Sequence, residues 1–389
     1  MLGANRSKEG GMTDGACRSR SAGADAGTGS ATDSLGLLLH AAHPAKARSI
    51  SSAMDMRLMV RHSTGDTGNV LDVLMSNARR GSPMSLYDLI ASKGRSGFGY
   101  SSTAEEVSAG LSLAGKTILV TGCNTGLGLE TMRVLAMRGA RVVGTARTLR
   151  KAADACSSVQ GSTVPFACEL SDPASVRQCG MAVKETELKL DAIICNAGIM
   201  ALPELQKAQG WELQFFTNHI GHFMLVTALI DQLSEDGRVV VVSSAAHHMA
   251  PKGGVELDNL DGSKSYGAWR NYGQSKFANI LFAKELSRRF EGSKRTANAL
   301  HPGAIVTNLY RHTNWLISAY LWISERLFMK SIPQGAATQV YVAAHPDAAS
   351  ISGEYFADCN VASPRKDALD AEMARALWQK SEQIVAGLA

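Results

Sequence analysis

Tyr272 and Lys276, in the run Tyr-Gly-Gln-Ser-Lys, are the residues whose types and spacing point first to chemistry. Positions four apart share a face of a helix, so the phenol and the ammonium reach one ligand together. The ammonium is expected to stabilise the phenolate and bring its pKa down from about 10, which would make the pair a proton shuttle. Of the eight tyrosines only Tyr272 has a lysine at this spacing, Tyr266 having Arg270 instead. The pair gains weight from its place. It follows an apolar run, Arg238 to Val242, that reads as a buried strand ending in the hydroxyls of Ser243-Ser244.

A second constellation lies upstream. Ile118 to Val120 reads as a strand covered on both faces of a parallel sheet, and it leads into Gly122, Gly126 and Gly128. Glycine there lets the backbone turn sharply, approach a ligand and bring the next helix, Leu127 to Met137, against the sheet. The first N–H groups of that helix have no partner within it, and with the helix dipole they favour a pyrophosphate. The spacing Gly-x-x-x-Gly-x-Gly differs from the commoner Gly-x-Gly-x-x-Gly, so the flanking strand, helix and second strand carry the reading. That second strand, Arg141 to Thr145, is followed by Ala146-Arg147, where an adenosine ribose would lie. An acid at this place would bind a free 2′-hydroxyl. Arg147 suits a 2′-phosphate instead, so NADP(H) is expected in preference to NAD.

These elements belong to a regular alternation. Ser102 or Thr103 with Glu105 or Glu106 opens a short helix. A strand at Thr163 to Cys168 ends in Glu169-Leu170, placed to bracket an adenine, and Asp172-Pro173 opens a helix running to about Glu187. Asp191 to Cys195 ends in Asn196-Ala197-Gly198, small enough to admit a flat ligand. A long helix is predicted from about Gly210 to Leu233, with Asn218 on it as a satisfied core polar group. The helix bearing Tyr272 runs to Phe290, and a strand at Thr296 to Leu300 gives way to His301-Pro302-Gly303. Residues 304–332, apolar and irregular, read as a substrate lid. Helices over Gln334 to Ala344 and Ala368 to Val385 flank a short strand at Gly353 to Phe356. The expected fold is α/β, a Rossmann-type doubly wound, mostly parallel sheet in three αβα layers.

The chain has 389 residues, 45% of them hydrophobic, enough for one large core. Residues 1–99, rich in Gly, Ala, Ser and Arg at the start and lacking tryptophan, read as a mostly disordered extension, and 100–389 as the folded domain. A cytoplasmic location is the default, although the extension also has the composition of an organelle-targeting segment. The net charge of +5 is scattered, which gives nucleic-acid binding no support. Seven cysteines without a Cys-x-x-Cys suit a reducing compartment. The histidines at 219, 222, 247, 248 and 301 lack a carboxylate or cysteine to complete a metal set. No run approaches the roughly 18 apolar residues of a membrane span. Residues 315–328, with Trp315, Tyr320, Trp322 and Phe328, could touch a membrane surface or wall a bulky apolar substrate.

Thr121 through Gly128, Asn196-Ala197-Gly198, Asn218, Ser244, Tyr272-x-x-x-Lys276 and Pro302-Gly303 with Thr307 together resemble the short-chain dehydrogenase/reductase family over about Leu111 to Ala386. Asn-His-Ile-Gly-His-Phe from Asn218 and Gln-Gly-Ala-Ala-Thr from Gln334 are similar to its retinol-dehydrogenase-like branch, WW-domain oxidoreductases included, although no WW domain precedes the first tryptophan, Trp211. The resemblance implies hydride transfer between NADP(H) and an alcohol, ketone or aldehyde, and Trp315, Tyr320, Trp322 and Phe328 favour a bulky apolar substrate of retinoid, steroid or fatty aldehyde class. It implies Tyr272 as general acid/base, Ser244 on the substrate oxygen, Lys276 on the nicotinamide ribose, and Asn218 holding a water in a proton relay rather than serving the core alone. It implies cofactor contacts from Gly122, Asn124, Thr125, Gly126, Leu127, Gly128, Arg147, Glu169, Leu170, Asn196, Ala197, Gly198, Tyr272, Lys276, Pro302, Gly303, Ile305 and Thr307. Ser243, one residue out of phase with Ser244, is expected to turn away. Glu169 stands where the family has aspartate, and Cys123 where alanine or glycine is common. Family habit suggests a homodimer. The competing class is an NADPH-binding regulatory scaffold or redox sensor with little turnover, against which the intact Asn218, Ser244, Tyr272 and Lys276 argue.

Overall fold

A computed structural model describes residues 93–305 and 329–388. Its first strand, β1 (Thr117–Thr121), is buried at all five positions, as its apolar run requires of a strand with a layer on each face. β2 (Arg141–Ala146) and β3 (Ser162–Ala167) extend the sheet on one side, and β4 (Leu190–Cys195) pairs with β1 on the other. A two-stranded antiparallel ribbon, β5 (Lys207–Ala208) and β6 (Trp211–Glu212), stands apart. The main sheet continues through β7 (Leu233–Val242), β8 (Thr296–His301), β9 (Tyr355–Ala357) and β10 (Asn360–Ala362). The order across it is β3-β2-β1-β4-β7-β8-β9-β10, parallel throughout except for the last pair. Strand order reverses between β1 and β4. In a doubly wound sheet a ligand crevice opens outside the carboxyl ends of the strands at that point.

The helices are α1 (Ala104–Val107), α2 (Gly126–Met137), α3 (Leu149–Ser157), α4 (Pro173–Glu185), α5 (Gly221–Leu229), α6 (Ala268–Arg289), α7 (Ile332–Ala344) and α8 (Ala371–Ala386). Thr103 and Glu106 form a reciprocal capping box on α1, and Asp172 with Pro173 opens α4, as the sequence predicts. Two apolar clusters cover the two faces of the sheet. One joins α4, α5, α6 and α8 to it, and the other joins α1, α2 and α7.

Three expectations need correction. The helix predicted from Gly210 to Leu233 starts only at Leu213, where the Glu212 carboxylate accepts from the amides of Gln214 (3.1 Å) and Phe215 (2.8 Å). It passes through a wide π turn, Phe216–Ile220, before α5, and by Leu233 the chain is already in β7, beside Leu190. A hairpin was not foreseen after β9: Asp358 and Cys359 both have positive φ (51° and 62°), as a two-residue primed turn demands, without the usual Asn-Gly signature. The folded domain also reaches further toward the N-terminus than residue 100, since Phe98 packs edge-on against Tyr341 and the Ser96 amide donates to Asn360 Oδ1. Most of the proposed lid, with Thr307 and residues 315–328, lies outside the described residues, as do residues 1–92.

α8 lies across α5 and α6 through Trp378, whose ring stacks on Phe282 (5.8 Å between centroids) and meets Phe223 edge-on (4.8 Å). The Arg289 guanidinium covers it at 3.9 Å. Trp378→Ala should therefore lower the unfolding free energy by about 3–5 kcal/mol, read by chemical denaturation; a loss under about 1 kcal/mol would mean that α8 adds little to the core.

Candidate active site

The crevice floor is built from strand ends and the first turn of α2. Gly128 follows closely enough on the glycine turn that a Cβ there would lie 2.2 Å from the Gly122 carbonyl oxygen, so only glycine lets the helix start here. Gly126, at φ 57°, instead faces open space, with no atom within 4 Å of where a Cβ would stand. Thr125 precedes α2 without a side-chain cap, and Asn124 is half-buried beside it. A bare glycine mouth with uncapped amides fits a pyrophosphate.

β4 ends in Asn196-Ala197-Gly198, and β1 holds it. Thr121 Oγ1 accepts from the amides of Asn196 and Ala197, both at 2.9 Å, and Asn196 Nδ2 returns a bond to the Thr121 carbonyl at 2.7 Å. Gly198 is exposed and tightly placed: a Cβ there would stand 3.0 Å from Asn218 Oδ1 and 3.4 Å from Lys276 Nζ. Arg147 is exposed at the end of β2, free of any salt bridge among the described residues. Glu169 turns one carboxylate oxygen onto its own loop, accepting from Ser171 N (3.1 Å) and Oγ (2.8 Å). The Leu170 side chain does not bracket a ligand. It is 4% exposed, in the core against Gly221, because α5 packs on this strand end, so only its backbone remains at the edge.

Tyr272 and Lys276 lie one turn apart on α6, both buried. The Ser244 side chain, which accepts from the Ala246 amide at 3.2 Å, lies near enough to the Tyr272 phenol to act on its ionisation. Ser243 turns away, its hydroxyl donating to the Lys276 carbonyl at 2.7 Å, as the alternation of strand faces predicts. Lys276 Nζ donates to the Val242 carbonyl at 3.0 Å and stands 5.9 Å from the centre of the Tyr272 ring. At that separation the expected lowering of the phenol's pKa does not arise within the chain. Burial pushes Tyr272 up to about 12, against the opposing influence of the nearby Ser244 side chain. Burial also brings Lys276 down to about 8.

Asn218 sits within the π turn, and its side chain is spent on structure: Oδ1 accepts from Ile199 N (2.8 Å), and Nδ2 donates to Ile199 O and Ser275 Oγ (both 2.9 Å). A local π turn commonly marks a functional position in a helix. At the far side, Pro302 and Gly303 (φ 90°) lead to Ile305, which pairs with Lys330 and packs with Leu127 around Gly335. Two histidines that sequence reasoning weighed only as metal ligands belong here. His247 Nδ1 donates to the Ser244 carbonyl (2.7 Å) while its Nε2 accepts from the Arg365 amide (3.1 Å). His222 lies beneath Thr121 and Asn218. Among the described residues no group of His, Cys, Asp or Glu is arranged to hold a metal, and no helix is long and apolar enough to cross a membrane.

Residues 116–315 match the family model of short chain dehydrogenases. The chain belongs to the short-chain dehydrogenase/reductase family. It lies on the retinol-dehydrogenase-like branch, and is an NAD(P)-dependent oxidoreductase acting between alcohols and carbonyls. It is 39% identical over 320 residues to the chloroplastic short-chain dehydrogenase TIC 32 A of Brassica napus, covering 78% of this chain and 100% of that one. It is 38% identical over 276 residues to human retinol dehydrogenase 11, covering 69% and 85%. A solved structure from Mycobacterium paratuberculosis, of an uncharacterised protein, superposes with a TM-score of 0.59 at 34% identity, over 72% of this chain and 97% of that one.

The depressed Lys276 pKa makes a signed prediction for this dehydrogenase. Between about pH 8 and 10 the unfolded chain holds a proton on residue 276 that the folded chain has shed, so this group's contribution to stability rises with pH. Denaturation of the wild type and of Lys276→Met across that window should show the difference in unfolding free energy shifting toward the wild type; a shift the other way would mean that Lys276 stays charged in the fold.

Proposed function

We propose that this dehydrogenase interconverts an alcohol and a ketone or aldehyde with NADP(H) as cofactor, on a bulky apolar substrate of retinoid, steroid or fatty aldehyde class. The observation that carries the reading is that the Tyr272 phenol and the Ser244 side chain meet at the crevice end of β7, close enough for Ser244 to favour the ionised phenol, with Lys276 one turn along the same helix. In this reading the glycine turn Gly122–Gly128 holds the pyrophosphate, and Arg147 holds the 2′-phosphate. Asn196, Ala197 and Gly198 floor the nicotinamide end, with Pro302, Gly303 and Ile305 beside it. The cofactor supplies the hydride.

The chain supplies everything else. Ser244 donates to the substrate oxygen, Tyr272 gives that oxygen its proton in reduction and takes it back in oxidation, and Lys276, whose pKa of about 8 is the lower of the two, returns a proton to the phenolate. A phenol at about 12 is fully protonated at neutral pH, the form from which the reductive direction starts. Asn218 holds a water through which Lys276 refills the phenol. The name of the retinol dehydrogenase relative supports the substrate class, and that of the chloroplastic relative supports organelle targeting by the N-terminal extension over a cytoplasmic location.

Oxidation of NADPH by all-trans-retinal, steroid ketones and long-chain aldehydes, followed by absorbance, tests the reading. Tyr272→Phe should retain cofactor binding and lose about 10²–10⁴-fold in kcat; an undiminished rate would remove Tyr272 from the chemistry. Arg147→Ala should raise KM for NADPH about tenfold, the loss of one charge-assisted contact, and leave that for NADH nearly unchanged. Equal changes for both cofactors would refute the preference for NADP(H).

A further inference from the structure

His222 is fully buried on α5, and both ring nitrogens are spoken for. Nδ1 lies 2.9 Å from the Asn218 carbonyl oxygen, which can only accept, so Nδ1 carries the proton. Nε2 lies 2.8 Å from Thr121 Oγ1. That oxygen already accepts the Asn196 and Ala197 amides, filling both its lone pairs, so its own hydrogen must point outward. The alternative acceptor, the Ile194 carbonyl, is 3.4 Å away, so the hydrogen goes to Nε2. The two ends of the ring therefore agree on one neutral tautomer. Burial supports it by lowering the pKa to about 4.

We propose that His222 is a positioning residue, a neutral Nδ1–H imidazole that braces from beneath the two backbone segments facing the nicotinamide end of the crevice. One segment is Asn196–Gly198, held through the Thr121 hydroxyl. The other is the π turn, held at the Asn218 carbonyl. Without the ring, the Thr121 hydrogen swings toward Ile194 and the Asn218 carbonyl loses the donor that fixes its direction, so both segments loosen together. No other imidazole position would serve, because α5 places residue 222 one helical turn beyond Asn218 and directly under the end of β1. The proposal rests on the functional reading only in taking the nicotinamide to lie above these segments.

Two conservative variants separate the links. In His222→Gln the side-chain oxygen reaches the Nε2 position and can accept from Thr121; in His222→Asn the amide reaches the Nδ1 position and can donate to Asn218. Binding of NADPH, read by its fluorescence, should stay within about threefold of wild type for the glutamine variant and weaken about tenfold for the asparagine variant. Amide hydrogen exchange at Asn196 and Ala197 should speed up in the asparagine variant alone, and ¹⁵N spectra of the wild-type ring should show the Nδ1–H tautomer. Equal loss of NADPH affinity in the two variants, tracking an equal drop in Tm, would reduce His222 to core packing and overturn the proposal. So would an Nε2–H ring. If the wild type bound no NADPH, the functional reading would fail, and amide exchange at Asn196 and Ala197 would still decide the role of His222.

Discussion

One hydroxyl joins the two strand ends between which the sheet reverses direction. At a switch point the connections leaving β1 and β4 depart to opposite faces, so their ends diverge and leave backbone amides without strand partners. Buried amides left that way would cost about 1–3 kcal/mol each. Thr121 Oγ1 takes two of them, at Asn196 and Ala197, and Asn196 Nδ2 answers to the Thr121 carbonyl. The crevice is thus closed at its floor by side chains of the strands themselves. Its shape exists before any ligand enters, and a site fixed in advance spends less binding free energy on ordering itself.

Charge at the site follows from burial more than from pairing. His219, His222 and His247 are pushed down to about 3, 4 and 3, and stay neutral at physiological pH. Lys276 is then the cation that stands beside Tyr272, tethered to the Val242 carbonyl. Its own pKa of about 8 leaves it mostly protonated near neutrality yet ready to part with a proton. Tyr272, at about 12, is the tighter holder of the two. In the proposed relay a proton would pass downhill in this order, from the lysine to a phenolate.

The fold was largely legible because its signals are local. β1, β4 and the crevice end of β7 announce themselves as unbroken apolar runs, the openings of α1 and α4 as capping residues, and the glycine turn by its spacing. What escaped depends on partners far along the chain. The early start of β7 rests on Arg295, whose guanidinium donates to the Leu233 and Ser234 carbonyls 62 and 61 residues away. The π turn at Asn218 rests on contacts with Ile199 and Ser275, and no periodicity of apolar residues encodes it. Leu170 looked like a cofactor contact by position, but its side chain went to the core because Gly221 lets α5 approach it. The Asn218 side chain is satisfied within the core, as its own reading expects, and the relay role is carried by the resemblance alone.

The residues behind the crevice are as specific as those in it. Ser244 is held at its carbonyl by His247, which is held in turn by the Arg365 amide, and the Arg365 guanidinium binds the carbonyls of Ala250 and Pro251 while lying over the Phe277 ring. A residue from the last short turns before α8 thereby fixes the loop that follows Ser244. The groups proposed to react are short and chemically ordinary, a hydroxyl, a phenol and an ammonium, and none of them reaches its place by its own rotamer preferences alone. Each is aimed by a neutral, doubly bonded or fully buried neighbour from a different part of the sequence. A substitution that conserves Ser244, Tyr272 and Lys276 but breaks one of these supports would leave the recognisable motif intact and the geometry lost, so the motif by itself is a weaker guide to activity than the hydrogen bonds that hold it.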